Sequence, residues 1–356
     1  MRGGPAVDAQ GRVFICRDHE LLMFPRGGCT PAWRYETGGA VLRSPAIGLD
    51  GNVRVHSGDG RLHVVTPDGR CAFEPVAVGE PLGWASPLVD SQNNTWICRH
   101  AGGLAKVDAF GQTGRRPFYR MRHRFDCTGL IHGGTLYIGC EEHYVYAIPL
   151  DGDSGRNLWS HSIELGRTGC AIHCPLALGT GGELLAISQD DRLYAFGLDG
   201  QSRWSVPLPG HGLSSPVVDE DGTIYVGLSQ NPRDEPARGV LLALRGATRQ
   251  MKWQYAVDAA IESTPVIGDD GIVYFGDNDG VIHAVDPQGK LVWKTTFESP
   301  IRSAGAIIDR GLVAFGADDG SLLVLKCSSQ AIRSRGWPKL LGAASQNGLV
   351  GGNEAS

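Results

Sequence analysis

The sequence predicts an all-β fold, one closed ring of eight four-stranded antiparallel blades: an eight-bladed β-propeller. Three observations carry this: a unit of about 43 residues recurs eight times, each unit holds short apolar runs between tight turns, and six of the eight tryptophans occupy one place in the unit. The 51 glycines among 356 residues are roughly twice the usual share. No collagen period or low-complexity tract contains them, so they need a repeated structural use.

Units start near residues 5, 45, 87, 128, 175, 216, 265 and 305, placing residues 1–342 in a single propeller and 343–356 in a polar, Gly-rich tail. Each unit opens on a short apolar strand led by a proline slot: Pro5, Ser44-Pro45, Ser86-Pro87, Cys174-Pro175, Ser215-Pro216 and Thr264-Pro265, with Thr128 and Gly305 filling the slot in units four and eight. A turn follows, marked by Gly11, Gly51, Gly134, Gly182, Gly222, Gly271 and Gly311, or by Asn93, which also tolerates positive φ. The second strand runs on from this turn, as in Val13-Phe14-Ile15-Cys16 or Val273-Tyr274-Phe275-Gly276. A position near its end is small in six units, as close approach of neighbouring sheets would require.

An acidic turn such as Gly58-Asp59-Gly60 or Asp277-Asn278-Asp279-Gly280 leads to a third strand, Leu62-His63-Val64-Val65 or Ile282-His283-Ala284-Val285. The fourth strand carries an aromatic residue placed to fill the gap between blades: Trp33, Phe73, Trp159, Trp204, Trp253, Trp293 and Trp337. An open solenoid would need atypical polar end units, and the first and last units here are ordinary.

Composition narrows the function. A net charge of −5 argues against a general nucleic-acid binder, and no apolar run approaches the roughly 18 residues of a membrane span. The first residues show no apolar signal segment, and nine cysteines are an odd number for a disulfide framework. A cytoplasmic monomer is expected, or an exported protein if the N-terminus is a truncation.

Asp151-Gly152-Asp153-Ser154-Gly155-Arg156-Asn157-Leu158-Trp159, after Tyr146-Ala147, closely resembles the tryptophan-docking repeat of the pyrroloquinoline-quinone-like propellers. Asp286 to Trp293 is a shorter version, and Ala243 to Trp253 keeps the frame with Arg245 and Arg249 replacing Asp and Gly. The resemblance implies kinship with quinoprotein alcohol dehydrogenases, outer-membrane assembly lipoproteins and sensor propellers, so it leaves function open. Those dehydrogenases hold their quinone with an adjacent Cys-Cys disulfide, a stacking Trp, calcium ligands and a catalytic Asp. This chain has no adjacent cysteine pair and is roughly half their length. No catalytic residue can be carried over, and neither quinone nor calcium is expected; the acidic turns read as turn chemistry.

The leading expectation is a non-catalytic propeller that offers a protein-docking or ligand-sensing surface at the channel mouth. The alternatives are an enzyme with a cofactor or metal over the channel, and a sensor module of a larger system. Residues before the proline slots vary from unit to unit: Arg43, Trp84, Phe125 with Asp126, His173, Glu262 and Arg302, with Leu213 and Ser214 in unit six. The scaffold has no need of this variety, which makes them candidate binding residues. Cys127, Cys170, His173 and Cys174 are a weak metal candidate, read first as core thiols.

Two further segments are candidate partner surfaces. One is the basic run with interleaved aromatics that includes Arg115, Arg116, Arg120, Arg122 and Arg124, suited to an acidic protein, phosphate or RNA. The other is the expanded turn Ser229–Gly239, with Arg233, Asp234 and Glu235 near its tip. His63 and His283 share the third-strand position of Tyr146 and Tyr194, which reads as packing with a polar tip.

Overall fold

The computed structural model describes residues 3–41, 43–79, 85–99, 103–114, 119–120, 125, 127–141, 144–151, 171–230, 238–309, 311–332 and 339. Among them there is no helix, and the strands form eight small antiparallel sheets, the blades of a propeller. Blade 1 shows the plan: β1 (Ala6–Val7), β2 (Val13–Arg17), β3 (Glu20–Phe24) and β4 (Trp33–Glu36) pair in chain order. Blade 4, which opens on β13 (Leu130–His132), and blade 8, which opens on β29 (Ala306–Asp309), show three strands among the described residues. The inner strand β1 touches both β29 and β5 (Ala46–Ile47), so the first and last blades are neighbours and the ring closes.

Turn chemistry sets this pattern. Gly11 and Gly51, both at φ 76°, and Asn93 at φ 65° occupy the left-handed region at the end of the first turn, where a residue with a branched Cβ would be strained. Gly11 donates its amide to the Asp8 carbonyl at 3.0 Å, closing the turn that pairs Ala6 with Phe14.

Unit four departs from the sequence expectation. Leu130 pairs with Tyr137 and Ile131 with Leu136, which puts Gly129 rather than Thr128 in the proline slot. The tight Gly133-Gly134 turn, at φ 55° and 72°, is one residue shorter than its counterparts and displaced the count. Thr128 is therefore equivalent to Ser44 and Ser86.

The core is a series of wedges between adjacent blades. Phe14, Leu21 and Met23 of blade 1 pack with Val53, Val55 and Val65 of blade 2, while Tyr225 and Leu241 of blade 6 pack with Phe275 and Val285 of blade 7. The outer-strand aromatics clamp each blade to the next. Trp33 Nε1 donates to the Pro67 carbonyl at 3.1 Å with its ring over Gly69, and Trp253 Nε1 donates to Pro287 at 2.9 Å with its ring over Gly289. Phe73 covers Gly111 in the same way.

Arg249 stands where glycine would, at φ 62°, and lays its guanidinium 5.5 Å from the Trp204 ring. Trp293 packs against Tyr274 in the wedge before blade 8. Trp159 and Trp337 lie outside the described residues. The small second-strand residues answer a different neighbour from the one expected: Gly139, Gly227 and Gly276 back onto Ile172, Ile261 and Ile301, which belong to the linker leaving the same blade.

Candidate functional site

The linkers between blades and the turns between second and third strands lie on one face. Amides of Gly58, Gln189, Asn278 and Asp318 in those turns donate to Ala40, Ala171, Ala260 and Pro300 in the preceding linkers, stitching blade 1 to 2, 4 to 5, 6 to 7 and 7 to 8. At the centre of this face a cavity of about 390 Å³ opens into the channel, with Arg43, His173, Leu213, Glu262 and Arg302 among its lining residues. A second cavity of about 600 Å³ follows the seam between blades 8 and 1, past His19, Gly38, Gly39 and Asp319. Arg43 lines both.

Five of the expected mouth residues are therefore within or beside this rim, and two pair directly. Arg302 Nε donates to Glu262 Oε1 at 3.2 Å and to Asn278 Oδ1 at 3.1 Å, and its Nη1 reaches the Asp318 carboxylate. Asn278 Nδ2 closes the set on Glu262 at 2.9 Å. The linker into blade 7 and the turns of blades 7 and 8 are held by one guanidinium. Because Arg302 and Glu262 are each about one quarter exposed, 25% and 27%, water screens the pair.

His173 is exposed, with Nδ1 2.7 Å from Gln189 Nε2, and Leu213 is 39% exposed. Phe125 differs from expectation. It is fully buried and meets Tyr146 edge-on at 6.3 Å, because it holds the linker position that Ile261 and Ile301 fill elsewhere. Trp84 and Asp126 lie outside the described residues.

Just below the rim sits a layer of small residues, one per blade. Backbone amides of Gly4, Ser86 and Ser215 donate to the hydroxyls of Ser44, Thr128 and Thr264 in the following blades, at 2.8, 2.8 and 3.2 Å. The sequence signal was the Ser or Thr before the slot in five of the eight units.

Cys127 and Cys174 are buried thiols that donate to the carbonyls of Gly139 and Gly212, at 3.5 and 3.7 Å. Burial pushes the Cys127 thiol well above its usual range, and pushes Cys174 up to about 12, so neither is poised as a thiolate ligand. Cys170 lies outside the described residues, among which no group of three His, Cys, Asp or Glu could hold a metal ion.

Sequence reasoning missed what the third-strand histidines do. His63 Nε2 meets Asp59 Oδ2 at 3.0 Å, and its Nδ1 meets the hydroxyl of Tyr35 from the preceding blade at 3.1 Å. Blade 7 repeats the arrangement with His283, Asp277 at 3.0 Å and Tyr255 at 3.3 Å. The signal was present: Trp-x-Tyr occurs in units one and six, each followed in the next unit by the histidine. The acidic turns supply acceptors in this way, as Asp190 also does for the Tyr194 hydroxyl at 2.6 Å.

Of the basic run, Arg120 forms the outer strand of blade 3 with Tyr119, paired to Gly103 and Leu104; Arg115, Arg116, Arg122 and Arg124 lie outside the described residues. The expanded turn of blade 6 is shorter than expected. Ser229 pairs with Gly239 and Gln230 with Arg238, extending the two strands and leaving 231–237, with Arg233, Asp234 and Glu235, outside the described residues.

A family model described as outer membrane protein assembly factor BamB matches residues 141–267 and 237–350, more than half of the chain. The fold is similar to the crystal structure of BamB from Moraxella catarrhalis, with a TM-score of 0.70 and 15% identity over 90% of this chain and 95% of that one. It is also similar to the computationally designed Ika8 protein, with a TM-score of 0.73 and 15% identity over 92% of this chain and 97% of that one. No curated protein matches the chain in sequence.

Proposed function

The chain belongs to the family described as outer membrane protein assembly factor BamB, and from that membership we propose that it is a non-catalytic docking propeller whose channel-mouth face receives a protein partner. One contrast carries the reading. Behind the rim the same turn glycines and docking aromatics recur blade after blade, whereas at the rim arginine, histidine, leucine and glutamate succeed one another. A repeated scaffold with a non-repeating rim is the pattern of a recognition surface. Exposed Leu213 beside the half-buried Arg302–Glu262 pair supplies the mixture of apolar anchor and polar rim that protein interfaces use.

The proposal includes a monomer with no quinone or calcium bound. Quinone retention in the resembling dehydrogenases rests on an adjacent cysteine pair, and Cys127 and Cys174 at this mouth are separate buried thiols bonded to carbonyls. These residues do not fit that group. Native mass spectrometry of the purified chain tests this part: a bound quinone or stoichiometric metal overturns it.

Docking is tested with a photo-crosslinking residue placed at Leu213, on the mouth face, or at Leu49, in the first turn of blade 2 on the opposite face. The same partner is expected at Leu213 alone, and is lost in an Arg43/Trp84/Arg302 triple-alanine variant. Capture at Leu49 alone, or full retention by the triple variant, overturns the assignment.

A further inference from the structure

We infer that the outer edge of blade 8 receives an extended segment of a protein partner, which adds a fourth strand to that blade and seats an aromatic side chain on blade 1. The site is a sheet edge apart from the channel rim and does not depend on whether the rim docks a protein.

Blade 8 shows three strands among the described residues, ending on β31 (Leu322–Lys326). Val324 pairs with Ala314, as Met23 does with Phe14, Ala243 with Tyr225 and Ala284 with Tyr274. In four blades the residue at this place lies opposite the docking tryptophan of the fourth strand and is buried: Met23 opposite Trp33, Ala195 opposite Trp204, Ala243 opposite Trp253 and Ala284 opposite Trp293. Val324 is instead 44% exposed. Blade 4 also shows three strands among the described residues, yet its Ala147 is buried, so the uncovered strand is particular to blade 8.

The facing half of the seam is open as well. Trp33 lies over Gly69 and Trp253 over Gly289, in turns whose proline and glycine are half-buried. The matching turn of blade 1, closed by the Gly28 amide on the Pro25 carbonyl, is exposed from Pro25 to Thr30. A Cβ at Gly27 would meet nothing within 4 Å, and the nearest atoms to one at Gly28 belong to Pro25.

After β31 the chain is drawn to blade 7. In blade 7 itself Val285 is paired again by Leu291, six residues on; the residue six past Leu325 is Ala331, whose carbonyl accepts the Asp269 amide at 2.9 Å. The hydroxyls of Ser328 and Ser329 donate to Asp270 at 2.6 and 2.5 Å, and Ile332 bridges Gly268.

An open, apolar strand edge is a template for strand addition. The fold defines what fits: a segment antiparallel to β31, with an aromatic residue opposite Val324 to cover the blade 1 turn. Exposed Lys326 at the end where it enters and exposed Asp319 where it leaves favour an acidic start and a basic finish. It leaves beside the Asp318–Gly320 turn, where the 600 Å³ seam cavity has room for the continuing chain on the mouth face.

The test uses the full chain and a synthetic peptide carrying the blade 7 strand sequence Leu291–Thr296 between an added glutamate and an added lysine, with amide exchange read across Leu322–Lys326. The outward amides of this strand should exchange freely alone and become protected at saturating peptide. Alanine in place of the peptide's tryptophan should weaken binding about thirtyfold, as for an interface hot spot. Val324→Asp, at an exposed position, should keep the melting temperature and weaken binding about tenfold by burying a charge on docking. Exchange unaltered by peptide, or protection indifferent to both substitutions, overturns the proposal. So does protection without peptide: if Trp337→Ala removes it the edge is filled by the chain itself, and if it grows with protein concentration, by a second copy. Partner capture at Leu213 reads the rim alone, so failure of either reading is seen separately.

Discussion

Replacing His283 by alanine should destabilise blade 7 more than any change at the equivalent place in blade 2. The imidazole is 3% exposed and stacks on Phe275, with ring centroids 4.9 Å apart and planes within 10°. Asp277, 2% exposed, satisfies Oδ1 with the amides of Asp279 and Val281 at 3.0 and 2.9 Å, while Oδ2 meets His283 Nε2 at 3.0 Å. Removing the ring strips a charged, buried acceptor of that bond, costing ~1.5–3 kcal/mol. It also deletes the stacked contact, worth ~0.5–1.5 kcal/mol. A total of about 2–4.5 kcal/mol is expected.

Burial, then the Asp277 and Asp258 charges, raise the Tyr255 phenol above its usual range, so it remains a donor to Nδ1. Tyr255→Phe loses only that 3.3 Å bond and should cost ~0.5–1.5 kcal/mol. In blade 2 the Asp59 side chain is 17% exposed, so water can answer the carboxylate and His63→Ala should cost less. Urea unfolding of each variant gives the global loss, and amide exchange across Ile282–Val285 reads blade 7 locally. A loss below about 1 kcal/mol for His283→Ala, or one no greater than for His63→Ala, would refute the reasoning.

Two further outcomes follow from the scaffold. Gly289→Ala places a Cβ at φ 83° and 2.7 Å from the Trp253 ring, combining left-handed strain with a displaced aromatic; about 2–4 kcal/mol should be lost in the same unfolding assay, with fluorescence reporting the moved indole. Asp50 and Asp59 have carboxyls held below the usual range, where burial alone would raise them but bonds from Arg54 and from His63 prevail. Their stabilisation is present above the ordinary aspartate value of about 3.9 and is lost as pH falls through the folded values, so thermal scans should show the melting temperature dropping below about pH 4.

Much of the fold was legible because its signals are local. Gly11, Gly51 and Asn93 announce their turns by needing positive φ, and Trp33 and Trp253 recur at a fixed distance from a turn. The reading failed where a local signal had two solutions. Gly133-Gly134 allows either a six-residue or a shorter turn, and only the pairing of Leu130 with Tyr137 decides between them. Phe125 was indistinguishable from a rim residue until the linker register aligned it with Ile261. Of the channel mouth, position along the chain located Arg43, His173, Glu262 and Arg302, but did not disclose their partners.

The sequence by itself determined the blade count, the order of strands within a blade and the residues that must turn, since period-two patterning and turn chemistry act over a few neighbours. Tertiary structure alone decided which side chains meet across blades: Arg302 with Glu262, Tyr255 with His283, Ser215 with Thr264. Each of those contacts joins residues 28 to 49 positions apart. Their distance and orientation are set by the curvature of the closed ring, a property of all eight blades that no single repeat encodes.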